Sequence, residues 1–91
     1  MQITVEISFY PLDQTFGNQI LEFIADLKAN TNLKMKTNSM STQISGEFEA
    51  VLTHVKSAVK TAFSRGIKAV VVMKMFNEGL ELDWLDLQHL G

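Results

Sequence analysis

The spacing of apolar residues changes period several times along this chain, and that switching limits its fold more than any other feature. Residues 2–9 alternate: Ile3, Val5, Ile7 and Phe9 face one way, and Gln2, Thr4, Glu6 and Ser8 the other. A period of two rich in β-branched residues predicts a half-buried strand. Pro11, the only proline, ends it because proline has no N–H for a ladder. From about Asn18 to Ala29 the apolar residues Ile20, Phe23, Ile24 and Leu27 recur at three and four, which predicts an amphipathic helix. Asn30-Thr31-Asn32 is a stop signal. Leu33, Met35 and Thr37 then alternate with Lys34 and Lys36 as a second strand, and Thr42 to Ser45 reads as a third. The turn-rich Asn38-Ser39-Met40-Ser41 between them predicts a hairpin, although no Asn-Gly pair is present. Gly46 is expected to break the third strand. Glu47 to Ser64 carries a helical stripe of Phe48, Val51, Leu52, Val55, Val59, Ala62 and Phe63, closed by Arg65-Gly66. Residues 68–76 form a fourth strand that is apolar on both faces.

The order β-α-β-β-α-β with right-handed crossovers predicts a ferredoxin-like α+β sandwich. It has a four-stranded antiparallel sheet, two helices on one face, and the first and third strands central. Residues 1–79 make this domain and 80–91 a C-terminal tail. Leu80, Leu82, Trp84, Leu85, Leu87 and Leu90 are too many apolar residues for a solvated end, so the tail is expected to pack, with Asp83 capping a short helix from Trp84.

The fold leaves one sheet face without helices. On this phasing it carries Gln2, Thr4, Glu6, Ser8, Lys34, Lys36, Ser41, Gln43, Val70, Val72 and Lys74. Apolar residues on an edge strand need cover. Self-association supplies it most simply, so a homodimer or homotetramer is expected; the tail folding back is the alternative.

Composition narrows the function. The chain of 91 residues has a net charge of −2, where nucleic-acid binders carry a basic excess, so no nucleic acid is expected as partner. An RNA-recognition sheet of this topology needs stacking aromatics in its central strands, and Thr4, Glu6 and Gln43 stand there instead. No cysteine is present, which removes disulfides and thiolate chemistry and fits a cytoplasmic protein. No apolar run is long enough to span a membrane, and no signal peptide is expected at the N-terminus. His54 and His89 lie in different elements, no metal-ligand spacing is visible, and no glycine-rich phosphate loop exists, so no enzyme, metal or cofactor is expected.

Two features stand out. Glu6 sits mid-way along a central strand, where a carboxylate needs a partner. It either pairs with Lys74 across the sheet or accepts a hydrogen bond from an amine-bearing ligand. The stretch Thr37 to Glu49 gathers hydroxyls, amides, a methionine and an aromatic in one hairpin and the following helix start. Glu47 and Glu49 suit the positive end of a helix, and Phe48 suits a core. The same density of donors and acceptors suits a small planar heterocycle.

The residues Val5-Glu6-Ile7-Ser8-Phe9-Tyr10-Pro11-Leu12, taken with Met40-Ser41-Thr42-Gln43-Ile44-Ser45-Gly46-Glu47-Phe48-Glu49, resemble the thiamine-binding YkoF-like family. The resemblance runs from about Met1 to Gly79. It implies a ferredoxin-like fold assembled into dimers or tetramers, and non-catalytic binding of thiamine or its hydroxymethylpyrimidine half, for carriage, sequestration or sensing. Matching positions are Glu6, Met40, Thr42, Gly46, Glu47 and Phe48. Ser41 stands where the family commonly has glycine, and the last strand reads Val70-Val71-Val72-Met73 where serine and threonine are usual. The chemistry expected of the site follows from an aminopyrimidine's donor and acceptors. Glu6 or Glu47 would accept from the amine, Ser39, Ser41 or Thr42 would serve the ring nitrogens, and Phe48, Phe9 or Met40 would pack on the ring. The alternative is a ligand-free oligomeric interaction module of the same fold.

Overall fold

The computed structural model describes residues 1–12 and 16–83. Its elements are β1 (Gln2–Pro11), α1 (Phe16–Lys28), β2 (Lys34–Thr37), β3 (Thr42–Glu47), α2 (Phe48–Phe63) and β4 (Ala69–Phe76). They form one antiparallel sheet in the order β2-β3-β1-β4, with both helices on the same side. This is the ferredoxin-like α+β fold, with β1 and β3 central.

The alternation in β1 decides which side is buried. Ile3, Val5, Ile7 and Phe9 lie under the helices with Ile44 of β3, and meet Phe23 and Leu27 of α1 and Val51, Val55, Ala58 and Ala62 of α2. Phe9 and Phe23 stack with ring centroids 4.8 Å apart and planes 17° from parallel. Arg65 ties the two helices together at the surface, through Nη2 to Asp26 at 2.6 Å and Nε to Glu22 at 3.1 Å.

Gly46 does not break β3. It pairs with Ile3 inside the ladder, and β3 runs on to Glu47. Its role is close packing, because a Cβ there would lie 2.6 Å from Leu33 Cδ2. Gly66, just past α2, has φ +87°, the left-handed turn that glycine adopts freely and that the sequence placed there. Pro11 pairs with Ala69 as the last residue of β1.

The open face holds the expected residues. Glu6 lies between Gln43 and Lys74, Ser8 beside Val72, and Thr4 between Ser45 and Phe76. The chain covers part of this face itself. After β4 it doubles back over β1, where the Thr4 hydroxyl donates to the Glu78 carbonyl and accepts from the Leu80 N–H, both at 2.8 Å. The crossing reaches β2, where Asp83 lies 3.6 Å from Lys36 Nζ. Thr4 and Ser45 are buried beneath it although both point away from the helices. The expectation for Trp84 and the rest of the tail falls outside the described residues.

The helices pack over β1 and β3, leaving β4 as an apolar edge. Val70, Val72, Met73, Met75 and Phe76 are all between 42% and 48% exposed. No helix among the described residues is long and apolar enough to cross a membrane.

Candidate functional site

The β2–β3 hairpin turns without an Asn-Gly pair because Asn38 supplies the geometry through its side chain. Its Oδ1 accepts from the backbone N–H groups of Met40 (2.8 Å) and Ser41 (3.1 Å), and its own N–H donates to the Ser41 carbonyl at 3.0 Å. This is an Asx turn, in which a short amide side chain stands in for backbone. The turn is held against β1 by two further bonds. Ser8 Oγ donates to the Met40 carbonyl at 3.2 Å, and Ser41 Oγ donates to Glu6 Oε2 at 2.8 Å. Gln43 Nε2 donates to the same Ser41 oxygen at 2.7 Å.

Between this turn and α1 lies a cleft of about 150 Å³. Ile7, Phe9 and Phe23 form its apolar floor, and Ile20 and Ile24 of α1 form one wall. The facing wall is Thr37 through Thr42, with Ser8 and Tyr10 at the edge of β1. The Thr37 and Thr42 hydroxyls lie 3.0 Å apart across the hairpin and share one hydrogen bond. That leaves capacity for a further donor and acceptor at the cleft. An apolar floor with a few polar groups on one wall is the usual anatomy of a small-molecule site. Its size is that of a cavity that admits one six-membered ring, about 150 Å³.

The expected site residues separate into two groups. Ser39, Met40, Ser41 and Thr42 line the cleft. Glu6 does not; it stands on the open face and reaches the cleft wall through Ser41. It also lies 3.6 Å from Lys74 Nζ, so the cross-strand ion pair and the polar network coexist. Glu47 ends β3, five residues beyond Thr42 and roughly 17 Å along a strand, and Phe48 opens α2. Glu47 caps α2, its Oε2 accepting from the Ala50 N–H at 2.9 Å. Phe48 packs against the core, and its N–H donates to the Met1 carbonyl at 2.9 Å.

The lining residues that sequence reasoning did not assign to the site are Ile7, Ser8, Tyr10, Ile20, Phe23, Ile24, Thr37 and Asn38. Thr37 and Asn38 belonged to the hydroxyl-rich stretch and could have been taken with it. The α1 residues gave no signal, since a helical stripe looks the same whether it ends in core or at a cleft. His54 has a structural partner: its Nε2 donates to the Leu27 carbonyl and joins α2 to the end of α1. Among the described residues, no three of His, Cys, Asp and Glu converge as metal ligands.

Known proteins with this architecture include a hypothetical protein from Methanocaldococcus jannascii, 22% identical, with a TM-score of 0.74 over 99% of this chain and 96% of that one. A candidate thiamine biosynthesis/salvage protein from Thermotoga maritima is 17% identical, with a TM-score of 0.73 over 98% of this chain and 99% of that one. A domain of unknown function from Bacillus cereus is 18% identical, with a TM-score of 0.68 over 98% and 90%. At these identities the likeness shows a shared fold. No curated protein sequence matches the chain. The family model of thiamine-binding proteins matches residues 5–77, from β1 to just past β4, and so takes in every described residue that lines the cleft. The chain therefore belongs to the thiamine-binding protein family, the YkoF-like group its hairpin resembles.

Proposed function

We propose that the chain binds thiamine or its hydroxymethylpyrimidine half, without catalysis, in the cleft between α1 and the β2–β3 turn. The observation that carries this is the match to the thiamine-binding family over a segment that holds every described lining residue of a one-ring cleft. The pyrimidine enters over Phe9 and Phe23, with Met40 at the rim. The hydroxyls of Ser39, Ser41, Thr37 and Thr42 and the Asn38 amide offer donors and acceptors to its amino group and ring nitrogens. The thiazolium of thiamine, too large to follow, stays at the mouth. Glu6 acts on this site as a positioning residue, by fixing Ser41, while Glu47 and Phe48 act through the start of α2. Carriage, sequestration or sensing in the cytoplasm would each use such a site.

The apolar β4 edge supports assembly into a homodimer or homotetramer. It is also the observation that favours the second reading, a ligand-free interaction module. Thermal unfolding with and without ligand separates them. Ligand at about 100 times its dissociation constant adds about 2.7 kcal/mol. At roughly 4–8 °C per kcal/mol the midpoint rises by about 10 °C or more. Thr42→Val, which removes a cleft hydroxyl and keeps the shape, should reduce that rise. No shift with thiamine, its phosphates or the pyrimidine alcohol at millimolar concentration would reject binding and leave the interaction module.

A further inference from the structure

We infer that the cleft selects the unphosphorylated form of its ligand and rejects phosphate esters, an inference that rests on the binding site proposed above. Among the described residues that line the cleft there is no Lys, Arg or His. The sequence extends this beyond the lining. Residues 1–27, which hold β1 and most of α1, contain none of the three, and neither do residues 37–53, which hold the turn, β3 and the start of α2.

The cations adjacent in sequence or space point elsewhere. Lys36 precedes the turn but stands on the open face, across from Gln43 and beside Asp83. Lys74 stands on the same open face beside Glu6. Arg65, near Phe9, is engaged by Glu22 and Asp26, and Lys68 lies past the end of β1, where its carbonyl accepts from the Leu12 N–H. A further source of positive potential is the N-terminus of α1, where free N–H groups bind anions in other proteins. Among the described residues, the first of α1 on this cleft is Ile20, a full turn inside a helix that begins at Phe16. Behind the wall the charge is negative, the Glu6 carboxylate one hydrogen bond from Ser41.

A phosphate ester carries about −1.5 to −2 charge at neutral pH and wants charge-assisted donors. Here it would meet neutral hydroxyls and a carboxylate. With one ring filling the cleft, a phosphate on the pyrimidine's hydroxymethyl group sits at the mouth and is rejected strongly. Phosphates on thiamine hang beyond the thiazolium and are rejected less. A protein built this way takes its ligand before a kinase acts on it, or after a phosphatase has acted.

The test is calorimetric titration with the pyrimidine alcohol, its phosphate ester, thiamine and thiamine diphosphate. The ester should bind at least ~10-fold more weakly than the alcohol, about 1.4 kcal/mol. Thiamine diphosphate should fall below thiamine by a smaller factor. Both gaps should narrow between roughly 0.01 M and 1 M salt, as the Debye length falls from about 30 Å to 3 Å. Met40→Lys, at a rim side chain that is 82% exposed and tolerant of change, should raise ester affinity and lower that of cationic thiamine. Esters that bind as tightly as the unphosphorylated ligands overturn the inference and leave the binding site standing. Failure of all four compounds to bind rejects the site itself, and the inference with it.

Discussion

Glu6 and Ser8 hold the outer wall of the cleft against β1, and a double-mutant cycle at Glu6 measures how. Glu6 has two partners of different worth. Lys74 Nζ is 3.6 Å from Oε1, but the Lys74 side chain is 79% exposed. Exposed pairs contribute about 0–1 kcal/mol, and one this open belongs at the low end, under about 0.5. Ser41 donates to Oε2 at 2.8 Å and is itself only half-buried. Hydrogen bonds to charged groups contribute about 1.5–3 kcal/mol when sheltered. The Glu6 side chain is 42% exposed, so water competes, and about 1 kcal/mol is the expected cost of Ser41→Ala. Urea unfolding at fixed protein concentration, on single and double variants, gives the coupling energies. Glu6→Ala with Ser41→Ala should couple by about 0.5–1 kcal/mol, and Glu6→Ala with Lys74→Met by less than about 0.5. A larger coupling to Lys74 than to Ser41 would show that Glu6 serves the β1–β4 pairing rather than the turn, and the positioning role would be lost.

Further outcomes follow from other contacts. Thr4→Val keeps the shape and removes both bonds to the returning chain, so hydrogen exchange of the Leu80 amide should speed up while amides in the middle of β1 stay protected. Arg65→Met removes the clamp on Glu22 and Asp26, and should lower the melting midpoint by roughly 4–8 °C, the effect of about 1 kcal/mol. Light scattering coupled to gel filtration should return a mass above the 10.2 kDa of one chain, and Val72→Lys on the exposed edge should shift it towards that value.

The fold was legible because most of its signals are local. Alternation in β1, the stripes of both helices and the turn residues after α1 and α2 each act within a few neighbours, and each element appears within two residues of its expected bounds. Gly46 shows where local reading stops. Glycine within a strand is ordinarily a break, and here it is room for Leu33, a residue thirteen positions away in sequence that only the assembled sheet brings beside it. The open face was legible for the same reason as β1, since a period of two fixes both sides at once. That Thr4 and Ser45 would be buried on that face was not, because it depends on the path of residues 77–83 across the sheet.

The candidate site was legible as a stretch of chain and not as a shape. Met40 through Glu49 reads as one motif, yet Thr42 and Glu47 stand at opposite ends of β3, and an extended strand carries them roughly 17 Å apart, farther than one heterocycle reaches. The motif therefore divides by geometry. Its first half, with Asn38 and Ser39 before it, builds the turn and the polar wall of the cleft. Its second half admits Leu33 at Gly46, caps α2 with Glu47 and seats Phe48 in the core. A change at Glu47 is accordingly felt through the helix it caps, at about 1 kcal/mol, and reaches the cleft only as far as α2 supports the sheet beneath it. Glu6 belongs with the first half despite lying outside the cleft, because its oxygen fixes the Ser41 hydroxyl that the wall presents. Sequence adjacency grouped Glu6 with neither half; the antiparallel register, which sets Glu6 opposite Gln43 and so within reach of Ser41, is what joins them.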